Sequence, residues 1–425
     1  VFVLVSLLTA TPAQAQHDHT MAMAPGSQRY ELGAMAIGAL TSAAPALLGR
    51  RYTEGYLTQP NVMGAATLWR GRLGVVRATG TVNFEGYTLR RGELNAGIYG
   101  EGYVDRRHPH TLLHEAMLSV ATAADRAWQL SVMAGKGFTP YGTDDPMMRP
   151  LEKYPVNHHH AQIIERVLVG GAARVSRGAR WLSLEQAWFN GDEPVNPFTG
   201  PQWSRVGDSH ATRFTVSPAV GLEAQVSRAF VRSPGITQGG AFDHRQLSTS
   251  LRWAPASAQH YGLVEFARTD EGLGNQRAFR FESVLAEGRT TWRGVSMAAR
   301  LERTERPESE RLLDLFRTQS GHIDFQIVGI TRWTVGTVQL ASTGWRASRG
   351  VWRGMQLAPF VELSRASAVA RRRPAVFEPA TFYGASRQWS VTAGARVHVG
   401  TMRARMGRYG VLDPSGVSPS PMSHQ

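Results

Sequence analysis

The side chains best suited to chemistry in this sequence are histidine and methionine. His17, His19, Met21 and Met23 lie close together in Gln16-His17-Asp18-His19-Thr20-Met21-Ala22-Met23. Imidazole serves either oxidation state of copper, and thioether favours Cu(I). A pliant arm of this composition therefore suits copper in a compartment where thiols would oxidise. The chain has no cysteine at all, which removes thiolate zinc sites, iron–sulfur clusters, cysteine catalysis and disulfides. A second group is His108-Pro109-His110 with His114, and a third is His158 and His160, which share a face around His159. Both groups stand just before or at the start of extended segments, so they could meet at one rim of a fold as metal ligands. The plainer reading of each is a structural loop histidine. Copper is the one ion the sequence suggests, and no cofactor is required.

Enzymatic motifs are missing. His114-Glu115 does not continue to H-E-x-x-H, because position 118 is Leu118, so a metalloprotease reading fails. There is no G-x-S-x-G, phosphate loop or dinucleotide fingerprint, and no Ser/His/Asp set stands out. The expectation is a protein without enzymatic turnover.

A different set of residues is charged and alternates with apolar neighbours: Arg213, Glu223, Arg252, Arg280, Glu282, Arg300, Glu302, Asp324, Arg332, Glu362 and Arg396. On a strand inside a bilayer such side chains can only face a polar interior, since a lipid-facing arginine near the midplane costs roughly 2–4 kcal/mol. These residues are expected to line a pore. Either they form a basic, anion-favouring channel, or they pair into a network that closes the lumen. The net charge of +14 at pH 7 first suggests nucleic acid. Yet Lys136 and Lys153 are the only lysines, and the longest basic run is Arg371-Arg372-Arg373. Arginines spread singly suit a basic surface or lumen, and no nucleic-acid partner is expected.

The elements that must position these residues are strands. Leu247, Thr249, Leu251 and Trp253 oppose Gln246, Ser248, Ser250 and Arg252; Trp389, Val391, Ala393, Ala395, Val397 and Val399 oppose Ser390, Thr392, Gly394, Arg396 and His398. This period-2 pattern recurs from about residue 160 onward, in segments of the 9–11 residues that a tilted strand needs to cross a membrane. Further strands are expected at 30–40, 61–70, 72–85, 112–121 and 128–138, and separate ones at 322–333 and 336–346. Short turns at 176–178, 218–219, 254–259, 287–288 and 335–336 alternate with longer connections at 191–206, 232–242, 270–276 and 303–320. That rhythm marks a transmembrane antiparallel β-barrel, all-β, of about sixteen strands. It breaks once, because 366–387 is long where a short turn is due.

Residues 1–15 read as a signal peptide, with an apolar run and the A-x-A site Ala13-Gln14-Ala15. Residues 16–29 form the His/Met-rich lead, 30–410 the barrel and 411–425 a disordered tail. Arg106-Arg107-His108-Pro109-His110, the segment Phe138-Thr139-Pro140-Tyr141-Gly142-Thr143-Asp144-Asp145-Pro146-Met147, Tyr154-Pro155-Val156-Asn157-His158-His159, and Trp188-Phe189-Asn190-Gly191-Asp192-Glu193-Pro194 resemble a family of uncharacterised bacterial outer-membrane β-barrels. Members of that family often carry His/Met-rich N-termini, and some are linked to copper handling. Thr111 departs from it, since many relatives have an acidic residue after His-Pro-His. The barrel reading gives an outer-membrane, porin-like protein that passively passes small solutes or ions, and the resemblance adds a copper-handling role. The alternative is a metal-sequestering protein whose barrel is a closed anchor. Outer-membrane lipid and the barrel-assembly machinery are the partners implied.

Overall fold

The computed structural model describes residues 29–44, 49–89, 110–156, 161–235, 240–255, 259–309, 327–349, 354–371, 377–401 and 405–413. The His/Met lead (His17, His19, Met21, Met23), His108, His158, His160 and Asp324 lie outside these residues, as do the signal peptide and residues 414–425.

Sixteen long antiparallel strands form one sheet, here labelled in chain order. They are β1 (Tyr30–Ala44), β2 (Tyr52–Gly71), β3 (Gly74–Asn83), β4 (Leu113–Thr122), β5 (Trp128–Gly137), β6 (Arg166–Arg177), β7 (Arg180–Phe189) and β8 (Ser209–Ala219). The second half comprises β9 (Leu222–Val231), β10 (Asp243–Trp253), β11 (His260–Leu273), β12 (Gln276–Trp292), β13 (Val295–Ser309), β14 (Ile327–Ser342), β15 (Gln356–Ala370) and β16 (Arg387–Gly400). A two-residue stub, Trp345–Arg346, pairs with the start of β15. Each strand pairs with its sequence neighbours, and β1 also pairs with β16 from Gly33↔Gly400 to Ala44↔Trp389, so the sheet closes on itself. Closure removes the open edge strands of the sheet, although β12 and β13 pair only from Ser283↔Thr304 to Trp292↔Val295, so they part towards the long-loop rim.

The wall is apolar outside and polar inside. Leu118, Val132, Val169, Leu184, Val226, Val264, Leu301, Val338 and Val391 are exposed on the outer face. Ser183, Thr215, Ser227, Ser248, Thr337 and Ser390 are buried on the inner one. This inversion of the soluble pattern answers what alternation alone left open, namely which face meets water.

Connections divide by rim. The short links 72–73, 123–127, 178–179, 220–221 and 293–294 join strands at one rim; β3, β5, β7, β9, β13 and β15 end at the other, where most of the strands that follow are reached by longer connections. The break in rhythm expected at 366–387 is absent, because 322–333 and 336–346 are not two strands. Val335 and Gly336 sit in the middle of β14, paired with Glu302 and Leu301, so one turn fewer is made and 371–386 falls on the long-loop rim. Likewise Glu287-Gly288 is mid-strand in β12 and the turn falls at Arg293-Gly294, both at positive φ (47° and 82°). That is the conformation a tight hairpin of this hand requires. The connection expected over 270–276 is a tight link at 274–275.

Candidate functional site: a polar lumen crossed by two segments

The inner wall is nearly covered by the chain itself. The first covering segment belongs to the connection between β5 and β6, of which residues 138–156 fold inward from the long-loop rim. Its path can be followed by what it touches. The backbone N–H of Gly142 donates to Ser227 Oγ on β9 at 3.0 Å, and Thr143 Oγ1 meets Ser250 Oγ on β10. Arg149 reaches Glu265 on β11 at 3.0 Å, with both side chains fully buried. The N–H groups of Glu152 and Lys153 both donate to the Glu362 carboxylate on β15, at 2.9 and 3.1 Å, and the Val156 N–H donates to Glu302 on β13 at 2.8 Å. Glu152 pairs with Arg396 on β16 at 3.1 Å. Wall carboxylates thus accept the backbone N–H groups of a segment that has no sheet partner of its own, as burial demands. Phe138, Tyr141, Met147, Leu151, Tyr154 and Val156 give the segment an apolar side that is buried within the barrel.

The second segment follows β16. Residues 405–413 turn back into the lumen from the short-turn rim. Arg405 bridges Asp144 of the inserted loop (2.8 Å) and Glu223 of β9 (2.7 Å), while Arg408 pairs with Glu185 at 3.2 Å. Tyr409 Oη accepts from the Phe138 N–H, the Val411 N–H donates to Ser131 Oγ, and Asp413 pairs with Arg77 at 3.0 Å. Gly407 has φ +69°, and a Cβ there would come within 2.8 Å of the Phe138 side chain, so close approach and backbone conformation both require glycine. This ordered segment runs three residues past 410, where the sequence placed the start of a disordered tail.

Burial would by itself raise the Asp144 carboxyl, but the guanidinium groups of Arg252, Arg405 and Arg408 outweigh it and hold the group well below the usual carboxylate range. Glu165 is likewise held low, with the hydrogen bond and charge of His114 outweighing its burial. Burial lowers the Lys153 ammonium, an effect that nearby Glu302 and Glu362 only partly offset.

Of the residues expected to line a pore, Arg213, Glu223, Arg252, Arg300, Glu302, Glu362 and Arg396 lie on the inner face. Most are paired there, as in Arg213–Glu185 (2.6 Å) and Arg300–Glu287 (3.0 Å). Arg280, Glu282 and Arg332 do not line the lumen. Glu282 shares the outer face with exposed Val284 and Ala286, while Phe281, Ser283 and Leu285 point inward and are buried. Arg332 alternates with Trp333, which is fully buried in the lumen against Tyr383. The physical reason is shared: the inward neighbours of these residues are the large buried side chains Phe281 and Trp333, so polarity does not mark the inner face at these positions. Beside Arg396, a cavity of about 130 Å³ is lined by Arg289, Thr291, Ser296, Gln339, Gln356 and His398. These residues belong mainly to the short-turn halves of β12 to β16.

His110 and His114 come together with Glu165, which the sequence reading missed. His114 Nδ1 lies 2.8 Å and His110 Nδ1 3.8 Å from Glu165 Oε1, and all three residues are buried. Glu165 is non-glycine at φ +61° just before β6, and its distance in sequence from His114 left no local signal. The same oxygen accepts from the N–H and Oγ1 of Thr111, and Lys136 Nζ donates to Thr111 Oγ1 at 2.8 Å. Two imidazoles and a carboxylate are donors suited to zinc or copper.

No family model and no curated protein matches the sequence. Among solved structures, the anion-selective porin from Comamonas acidovorans is similar over 88% of this chain and 99% of its own, with a TM-score of 0.51 and 9% identity. The loop-L8 deletion mutant of OmpT from Vibrio cholerae covers 87% of this chain and 98% of its own at 8% identity and TM-score 0.48. OpdO of Pseudomonas aeruginosa covers 88% of this chain and 98% of its own at 11% identity and TM-score 0.41. At these identities the likeness is one of fold, and it rests on the first: a closed, sixteen-stranded antiparallel barrel of the outer-membrane porin type.

Proposed function

We propose that this chain is an outer-membrane, porin-type channel of small bore that admits small solutes and favours anions. One observation carries the reading: an inverted barrel with a polar, guanidinium-bearing lumen is narrowed by a loop folded inward between its strands. Around the cavity beside Arg396, Arg289 adds a second guanidinium, and Glu152 is the carboxylate paired with Arg396. An anion arriving from the short-turn side therefore meets a positive field. In this reading the chain inserts into outer-membrane lipid through the barrel-assembly machinery. Single-channel recording in planar bilayers tests it. The full chain should give a small, anion-preferring conductance, and Arg396→Glu or Arg252→Glu should move selectivity towards cations. A chain ending at residue 404 should conduct more. Silence from both forms would leave the barrel as a closed anchor.

A second reading, a barrel that sequesters metal, is favoured by the His110–His114–Glu165 group. Its donors fit copper or zinc, although Glu165 Oε1 is already hydrogen-bonded and the Lys136 ammonium lies close by. The His/Met arm would add a separate copper site. Copper titration of the wild type, of His110→Ala/His114→Ala and of a chain lacking residues 17–23 separates the two sites. Identical stoichiometry and affinity in all three would remove copper from the function.

A further inference from the structure

The outward placement of Arg280 and Arg332 extends to a band. On the outer wall next to the long-loop rim, Arg245, Arg268, Arg277, Arg280, Arg303 and Arg332 succeed one another across β10 to β14. Asp270, Glu282 and Glu305 are the acidic residues interspersed with them on this face. Asp270 is shared by three of the guanidiniums, Arg280 at 2.6 Å, Arg268 at 3.6 Å and Arg277 at 3.8 Å. Glu305 is shared by Arg332 and Arg371. The carboxylates hold the guanidiniums in a fixed array and do not neutralise it. The side chains remain open to the surroundings: Arg277 is 53% exposed and Arg268 36%, and Arg245 and Arg303 are exposed.

Position gives the band its meaning. On each strand it lies between the apolar belt and the rim. Val264 precedes Arg268 on β11, Val284 follows Arg280 on β12, Leu301 precedes Arg303 on β13 and Val338 follows Arg332 on β14, with the apolar residue always farther from the rim. Outward arginine is costly at the bilayer midplane and nearly free at the interface, so the band belongs at headgroup level. It is also one-sided. Among the described residues, exposed outward arginines continue on the flanking strands as Arg228, Arg365 and Arg387, whereas the outer wall of β1 to β8 near the same rim carries no arginine and presents residues such as Leu40, Leu57 and Trp188. A barrel that needed only solubility at its rim would not concentrate guanidinium on one half of its circumference. Guanidinium rather than ammonium is the group whose planar fork takes two phosphate oxygens at once.

We propose that this band, on β10 to β14, binds the phosphate groups of phosphorylated lipid headgroups in the membrane leaflet on the long-loop side. The inference rests on the membrane-embedded part of the functional reading and is independent of whether the lumen conducts.

The test uses the full chain in detergent, titrated with a bisphosphorylated glycolipid, with phosphatidylcholine and with inorganic phosphate, and bound lipid counted by native mass spectrometry. The wild type should retain the phosphorylated lipid at least tenfold more tightly than phosphatidylcholine. Arg268→Gln/Arg280→Gln/Arg332→Gln should lose most of that preference, and the same three positions as lysine should recover only part. Heat-dependent gel mobility verifies that each variant is folded. Equal retention by wild type and the glutamine variant would overturn the proposal, as would equal binding of the two lipids. Displacement of the lipid by millimolar inorganic phosphate would overturn the commitment to lipid. Failure of the membrane reading looks different, since the chain would then enter no vesicle, including pure phosphatidylcholine.

Discussion

The phenol oxygen of Tyr409 accepts the backbone N–H of Phe138 at 3.1 Å, joining residues 271 positions apart. Phe138 is the first residue after β5 and Tyr409 lies beyond the last strand. The contact therefore ties the base of the inserted loop to the segment that enters from the opposite rim.

Tyr409→Phe leaves that N–H buried without its acceptor. A buried donor left unsatisfied costs about 1–3 kcal/mol. The unboiled gel band should convert to the unfolded one at a lower temperature than in the wild type. An unchanged conversion temperature would mean that the contact contributes nothing to holding the loop.

Arg149 and Glu265 form an ion pair with no exposure on either side chain. Removing one partner of such a pair typically costs about 3–5 kcal/mol, while replacing both with apolar groups is often near neutral. Arg149→Met and Glu265→Leu should each destabilise the barrel to urea, and the double variant should recover much of the loss. Additive losses in the double variant would count against the pair.

The docked segments should tolerate mild acid. Asp144 is held below its ordinary range in the folded chain, so its contribution is fully present above the unfolded value near 3.9 and is lost only as pH falls through the lower folded value. Lys153 has the opposite consequence. Its lowered folded value means that docking gains stability as pH rises towards the ordinary lysine value near 10.4. Unfolding by urea should therefore become harder between pH 8 and 10, and Lys153→Met should flatten that rise. A Lys153→Met profile parallel to the wild type would assign the rise to another group.

Because the chain has no cysteine, single cysteines report the wall faces cleanly. A fluorophore at Val284→Cys should be quenched by brominated lipid and one at Ser283→Cys should not. The reverse result would restore the strand phase read from the sequence for Glu282.

How far the sequence could be read follows from where its regularity held. In β10 and β16 every second residue is polar and the assignment of Arg252 and Arg396 to the inner face is correct, because the facing lumen there is filled by charged partners such as Asp144 and Glu152. In β12 and β14, Phe281, Leu285, Trp333 and Val335 are buried inside the barrel while Arg280, Glu282 and Arg332 stand outside, so polarity gives the wrong phase there. Gly288 and Gly336 looked like turn residues because nothing local distinguishes a mid-strand glycine from one in a turn. The site was less legible still. Between the strand expected to end at 138 and the next, the sequence suggests no segment folded into the lumen, although six apolar side chains in a stretch without periodicity need cover from somewhere. The meeting of Glu165 with His114, or of Arg405 with Asp144, depends on barrel closure and has no signature at the level of spacing.

The seam between β1 and β16 sets an order of events. It joins Gly33 to Gly400 and Ala44 to Trp389, the most distant pairing in the chain, and contacts of that separation form slowly. Residues 405–413 follow β16 directly and lie inside the finished cylinder, threaded among side chains of β3, β5, β7 and β9. While the seam is open, this peptide can enter sideways; once it has zipped, the only way in is lengthwise past the short-turn rim. Residues 405–413 are therefore best placed before the cylinder shuts. A tag fused after residue 425 should slow the final step of barrel formation more than one fused ahead of residue 30.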